Sequence, residues 1–234
     1  MTSATAALFR TGHRFRAGLS VNDVAAIRTA RNIFIVSQIL PTVAYFAFDA
    51  SPRFPCSISF SVRRGLPRVL QEASWLYGWW LMANVMLSAQ SAFISFFTMQ
   101  MFITGFIGVC IFRLGDGSRL TALIHQYAAG LYMADHVVLC EVLAIAKGYR
   151  IVFACALVAT FAAYAVKQRL SETHGLSGEV ADGGKAQLAV LAARDPGAAR
   201  TLFASELIFM VCEHALFLAF VCGMASGVGA CGVA

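Results

Sequence analysis

The sequence predicts an all-α protein: a bundle of about six transmembrane helices behind a basic N-terminal segment. Three observations carry this. From Ala73 to Phe112 there is no charged residue. At about 1.5 Å per residue such a run makes a helix about 60 Å long, twice the roughly 30 Å of a bilayer core, so it reads as two spans back to back. The chain is 59% hydrophobic and 13% charged, against about 25% charged in soluble domains. Four further apolar stretches, each long enough to reach across or most of the way across a bilayer, flank the uncharged run.

Residues 1–31 hold Arg10, Arg14, Arg16, Arg28 and Arg31, with no acid before Asp23. That composition resembles a mitochondrial presequence. It also suits an interfacial helix with Leu8, Phe9 and Phe15 dipping into the headgroups. The first span covers 32–48, with a kink expected at Pro41. A polar loop with Arg63 and Arg64 leads to spans at 67–87 and 93–112, joined by a tight turn at Ser88–Ala92. Trp75, Tyr77, Trp79 and Trp80 suggest an interfacial aromatic belt. Gly105 and Gly108 allow close approach of another helix. Spans four and five cover 120–146 and 151–166. A hydrophilic loop, 167–200, carries a short helix near Lys185–Ala193. Span six covers 201–222, and 223–234 is a small-residue tail. The membrane domain as a whole is 32–228.

Six spans put both termini on one side. Seven Lys and Arg residues then fall on that side and eleven on the other, a small excess that turns the N-terminus away from the positive side. The net charge of +6 suits anionic headgroups, with Arg10, Arg14, Arg16, Arg63 and Arg64 as the contacts. The basic residues are scattered and form no basic helix, so nucleic acid is not an expected partner. Most of the seven cysteines lie in apolar spans as small hydrophobes. No CxxC or Cys/His spacing of zinc type occurs, so no metal site is expected.

Ionisable groups inside spans are costly and mark candidate functional positions. Span four carries His125, Asp135, His136 and Glu141. His125, Ala129, Tyr132 and His136 share one helical face. Span six carries Glu206, Glu213 and His214, with Glu206 and Glu213 on one face. The expected arrangement brings spans four and six together, with Asp135 or Glu213 beside His136 or His214. Such a cluster could glue helices, relay protons, or hold heme b between two of His125, His136 and His214. No GxSxG, HExxH or glycine-rich phosphate loop is present, so no catalytic residues are assigned.

Pro55-Cys56-Ser57-Ile58-Ser59 followed by Pro67, His125 followed by Ala128, Ala129 and Gly130, and Ala204-Ser205-Glu206 stand in the order of short motifs in a six-span family. On these residues the chain resembles the damage-regulated autophagy modulators and the GPI-anchor remodelling membrane protein of the Golgi. The family's Asp-Thr-Gly after Ile-Ser is replaced by Phe60, Ser61 and Val62. The resemblance implies a six-helix bundle with a lipid-facing role in the endomembrane system, and no catalytic residue to carry over.

The functional expectation is a non-catalytic accessory subunit of a larger membrane assembly, a respiratory or ATP-synthase complex of the mitochondrial inner membrane. Its partners are membrane lipids and other membrane subunits, and bound phospholipid is the expected ligand. An endomembrane protein that binds or remodels GPI lipid is the alternative. A heme-b anchor subunit is the third reading.

Overall fold

The computed structural model describes residues 11, 14–15, 17–50, 52, 54–88, 91–112, 119–142, 145–176 and 188–226. Most of these are helical, with no strand among them. Helix α1 (Val21–Phe48) is followed by the single turn α2 (Ile58–Ser61) and by α3 (Gly65–Ser88). Helix α4 (Ala92–Met101) continues as a π-helix over Phe102–Ile111. Then come α5 (Arg119–Val142), α6 (Lys147–Thr173) and α7 (Pro196–Ser226).

Among the described residues, four helices are long and apolar enough to cross a membrane: Val21–Phe48, Ala92–Val109, Lys147–Thr173 and Pro196–Ser226. The chain is therefore an integral membrane protein. The segments expected as spans two and four form helices of 24 residues each, but Arg68 and Glu72 on α3 and the His and acidic residues of α5 make them less apolar.

Helix α1 begins eleven residues before the expected span. Ser20 caps it: its hydroxyl accepts the Asp23 N–H at 3.2 Å, and the Asp23 carboxylate accepts the Ser20 N–H at 2.8 Å. This reciprocal box fixes a helix start, whereas the expected boundary at 31 and 32 marked only where polarity falls. Pro41 lies within α1, on its buried face. Near it the hydroxyls of Ser37 and Thr42 donate to the carbonyls of Phe34 and Gln38. Ser74, Thr98, Thr104, Thr160 and Ser205 bond to carbonyls one turn back in the same way, which satisfies hydroxyls where no water reaches.

The helices pack as three pairs, α1 with α3, α4 and its π-helical half with α5, and α6 with α7; α1 also packs on α7. The core is aromatic. Phe34 of α1 meets Trp75 and Trp79 of α3 and Phe217 of α7 edge-on, and Trp75 stacks on Phe217 at 5.6 Å. The expected interfacial belt is thus divided. Trp75 and Trp79, one turn apart, are buried, while Tyr77 and Trp80 face outward and stack on each other. A period of 3.6 residues puts the two pairs on different sides of α3. Phe15 is also buried in the core rather than turned toward headgroups, beside Val85 of α3 and Ile94 of α4.

Gly105 and Gly108 do what their spacing suggested. A Cβ at Gly105 would lie 2.5 Å from the Tyr132 ring, and one at Gly108 would lie 2.2 Å from the Ala128 Cβ. The glycines let α5 sit directly on the π-helical segment. That winding was not expected; its i→i+5 pattern persists to the Phe112 N–H, which bonds Ile107 O at 3.1 Å. In the hydrophilic loop, 188–194 is helical. Leu191 packs there on Ala198, Ala199 and Leu202.

Candidate functional site

The loop between α1 and α3 turns inward. Ser57 caps α2, its hydroxyl accepting the Phe60 N–H. Phe60 packs edge-on against Tyr45 of α1 and is covered by the Arg63 guanidinium at 4.1 Å. Two long-range bonds hold this turn in the bundle. The Ile58 N–H donates to Glu213 Oε2 of α7 at 2.8 Å, and Ser59 Oγ lies 3.2 Å from His125 Nε2 of α5. His125 Nδ1 lies 2.7 Å from Phe112 O. A carbonyl only accepts, so Nδ1 carries the proton, and in the neutral imidazole Nε2 is left to accept the Ser59 hydroxyl.

These residues line a cavity of about 200 Å³. His125, Ala129 and Met133 form one wall and Phe161, Tyr164 and Lys167 of α6 the other, with Phe209 and Glu213 behind. Helices α5 and α6 hardly touch each other, and Phe161 and Tyr164 are exposed on the outer surface. The cavity is therefore a side cleft between α5 and α6, open to the outer surface of the bundle. A smaller inner cavity of about 70 Å³ adjoins it, sharing Ser59, Ala129, Met133 and Glu213. Gln38, Trp75 and His136 line the inner cavity. Both ends of the Gln38 amide, the Trp75 indole N–H and His136 Nε2 are buried there without a hydrogen-bond partner among the described residues. Buried polar atoms of this kind are usually satisfied by an ordered water or a ligand.

The expected cluster is only partly assembled. α5 and α7 do meet, with the His136 ring 4.1 Å from that of Phe220. The expected carboxylate–histidine pairs do not form among the described residues. Asp135 accepts from Gln100 of α4 at 2.9 Å, Glu206 lies 3.6 Å from Lys167, and Glu213 takes the Ile58 N–H. His136 and His214 instead bond to the carbonyls of Tyr132 and Met210, one turn back on their own helices. Backbone carbonyls one turn away are always present, so a histidine on a helix need not find a carboxylate. The Glu141 side chain, Arg10 and Arg16 lie outside the described residues. Arg14 is exposed near the turn between α3 and α4, and Arg64 reaches Asp49 at 3.9 Å where α1 ends.

Ser59, Gln38, Trp75 and Lys167 were not singled out from the sequence as site residues. Ser59 stood inside a short motif, but no spacing links it to a histidine 66 residues away. Gln38, three residues before the proline of a predicted span, was a readable signal, since a buried amide in an apolar helix needs a partner. Compared with known proteins, the chain matches no protein-family model, no curated protein and no solved structure.

Proposed function

We propose that the protein is a six-span membrane protein that binds a membrane lipid in the side cleft between α5 and α6, in the endomembrane system as the family resemblance implies. The observation that carries this reading is the cleft itself. It is polar at its inner end (Ser59, His125, Glu213) and aromatic at its mouth (Phe161, Tyr164). His125 lines it, as does Lys167, which lies 3.6 Å from Glu206. At about 200 Å³ it is smaller than typical ligand pockets of about 300–1,000 Å³, so it suits the ester region of a lipid whose chains stay in the bilayer. Helices α3 and α5 count as the second and fourth spans in this reading. Gln71 of α3 and His125, Asp135 and His136 of α5 are buried, which is how a membrane helix carries such groups.

The accessory-subunit reading, with the mitochondrial inner membrane, rests on the composition of residues 1–31 and ranks behind. The heme reading needs two imidazoles facing each other across one space. Here the His136 ring is enclosed by Tyr132 and Phe220, and His125 is engaged at both nitrogens.

A photoactivatable phosphatidylcholine, cross-linked to the full chain in native membranes and mapped by peptide mass spectrometry, tests the cleft. Adducts on α5 and α6 around Met133, Phe161 and Tyr164 are expected. Adducts spread evenly over all outward faces overturn the reading. A C-terminal fluorescent tag decides between endomembrane and mitochondrial location.

A further inference from the structure

We propose that Ser59 and His125 form a nucleophile–base dyad that acts on the acyl ester of a membrane lipid. This rests on the lipid-binding reading and adds a reaction to it. The geometry is that of an activated serine: a hydroxyl within reach of an imidazole nitrogen, with the imidazole oriented by a third group. The third group is the Phe112 carbonyl, at 2.7 Å from Nδ1. It fixes the tautomer that leaves Nε2 basic toward Ser59 Oγ, at 3.2 Å. Ser59 is also held from behind, because the neighbouring Ile58 N–H is tied to Glu213.

The dyad stands where two spaces meet. Ser59 lines both the outer cleft and the inner cavity. The outer cleft presents an ester carbonyl with its chains among Phe161, Tyr164 and Phe209. The inner cavity, with the partnerless amide of Gln38 and indole N–H of Trp75, is polar enough and large enough for water. Ser59 Oγ adds to the ester carbonyl carbon as its proton passes to His125 Nε2. The tetrahedral intermediate collapses, the carbon–oxygen bond to the lipid alcohol breaks, and that alkoxide takes the proton from His125. A water, or the hydroxyl of a second lipid, then attacks the acyl-Ser59 ester, giving its proton to His125, which returns it to Ser59 Oγ. The products are a lysolipid and a fatty acid, or a lysolipid and an acylated acceptor.

A serine–histidine bond can instead merely staple a loop to a helix, and the test separates the two. The full-length protein in nanodiscs of phosphatidylcholine is treated with a long-chain alkyl fluorophosphonate and mapped by mass spectrometry. Labelling of Ser59 is expected, with none at position 59 in S59A. In H125Q the labelling rate falls by roughly 10²–10⁴-fold, the contribution of a general base. Fatty-acid release or acyl transfer from the nanodisc lipid falls in parallel. If S59A does not fold, S59C, which differs by one atom, takes its place and loses the phosphonate label. Absence of Ser59 labelling in protein that still gives cleft-localised lipid cross-links makes the dyad a staple and overturns this inference alone. Loss of localised cross-linking in the wild-type protein overturns the lipid reading beneath it. Labelling at another serine overturns the assignment of the nucleophile.

Discussion

Replacing Gly108 by alanine puts a methyl carbon 2.2 Å from the Cβ of Ala128 on α5. Carbon atoms pack at about 3.5–4.0 Å, so the π-helical half of α4 and α5 must separate by roughly 1.5 Å. That shift reaches the hydrogen bond between Gln100 and Asp135, now 2.9 Å, which joins the same two helices. Overpacking of this kind costs about 1–3 kcal/mol. Alanine returns up to about 1 kcal/mol over glycine inside a helix. The net loss is about 1–2 kcal/mol, or about 2–8 °C in Tm at about 2–4 °C per kcal/mol for a chain of this size. Thermal unfolding in nanodiscs, followed by tryptophan emission, reads it. Gly130→Ala is the control, because a Cβ there meets nothing within 4 Å; it leaves Tm unchanged or raises it. The double variant G108A/A128G removes the colliding atom and recovers most of the loss. Equal melting of G108A and G130A, or no recovery in the double variant, would refute the close contact.

Three further outcomes are expected. Gln38→Leu lowers stability by about 0.5–1.5 kcal/mol if water bonds the amide in the inner cavity; a rise in Tm would mean the cavity is dry and the amide a burden. Glu213→Ala leaves the Ile58 N–H buried without an acceptor and costs about 1–3 kcal/mol, with faster proteolysis of the loop between α1 and α3. Glu213→Gln keeps an acceptor there and stays close to wild type, so identical behaviour of the two variants counts against the Ile58–Glu213 bond. Brominated lipids quench Trp80 and spare Trp75 and Trp79, so W80F removes most of the quenching; quenching that survives W80F would mean that α3 is turned the other way.

Ser59 and His125 line one cleft, for a reason that no motif in the sequence contains. Ser59 and His125 lie on segments far apart in the chain, and α2 brings them together only because Glu213, on a third segment, holds Ile58. Glu206 was readable as a buried acid. Its partner Lys167 was not, since Lys167 reads from sequence as the solvated end of span five. The aromatic residues of α3 show the same limit. Composition signals an amphipathic ring at a membrane boundary, and it cannot tell which rings the neighbouring helix covers.

The sequence by itself determined that this chain is helical and enters a membrane. A run without charge from Ala73 to Phe112 admits few other structures, because backbone polar groups in lipid must be bonded within a segment. It also marked Gly105 and Gly108 as points of close helix contact, but not Gly78 or Gly223, where a Cβ would lie 2.7 Å from Phe34 and 2.5 Å from Ile145. The tertiary structure decided which polar groups meet. Most intramembrane polar groups bond either one turn back on their own helix or across the fold at 2.7–3.2 Å, while the Gln38 amide does neither among the described residues. The choice depends on helix rotation and register, which apolar composition leaves free. His136 and His214 took the first route. Ser59, Gln100, Asp135 and Glu213 took the second, and His125 took both of its bonds across the fold.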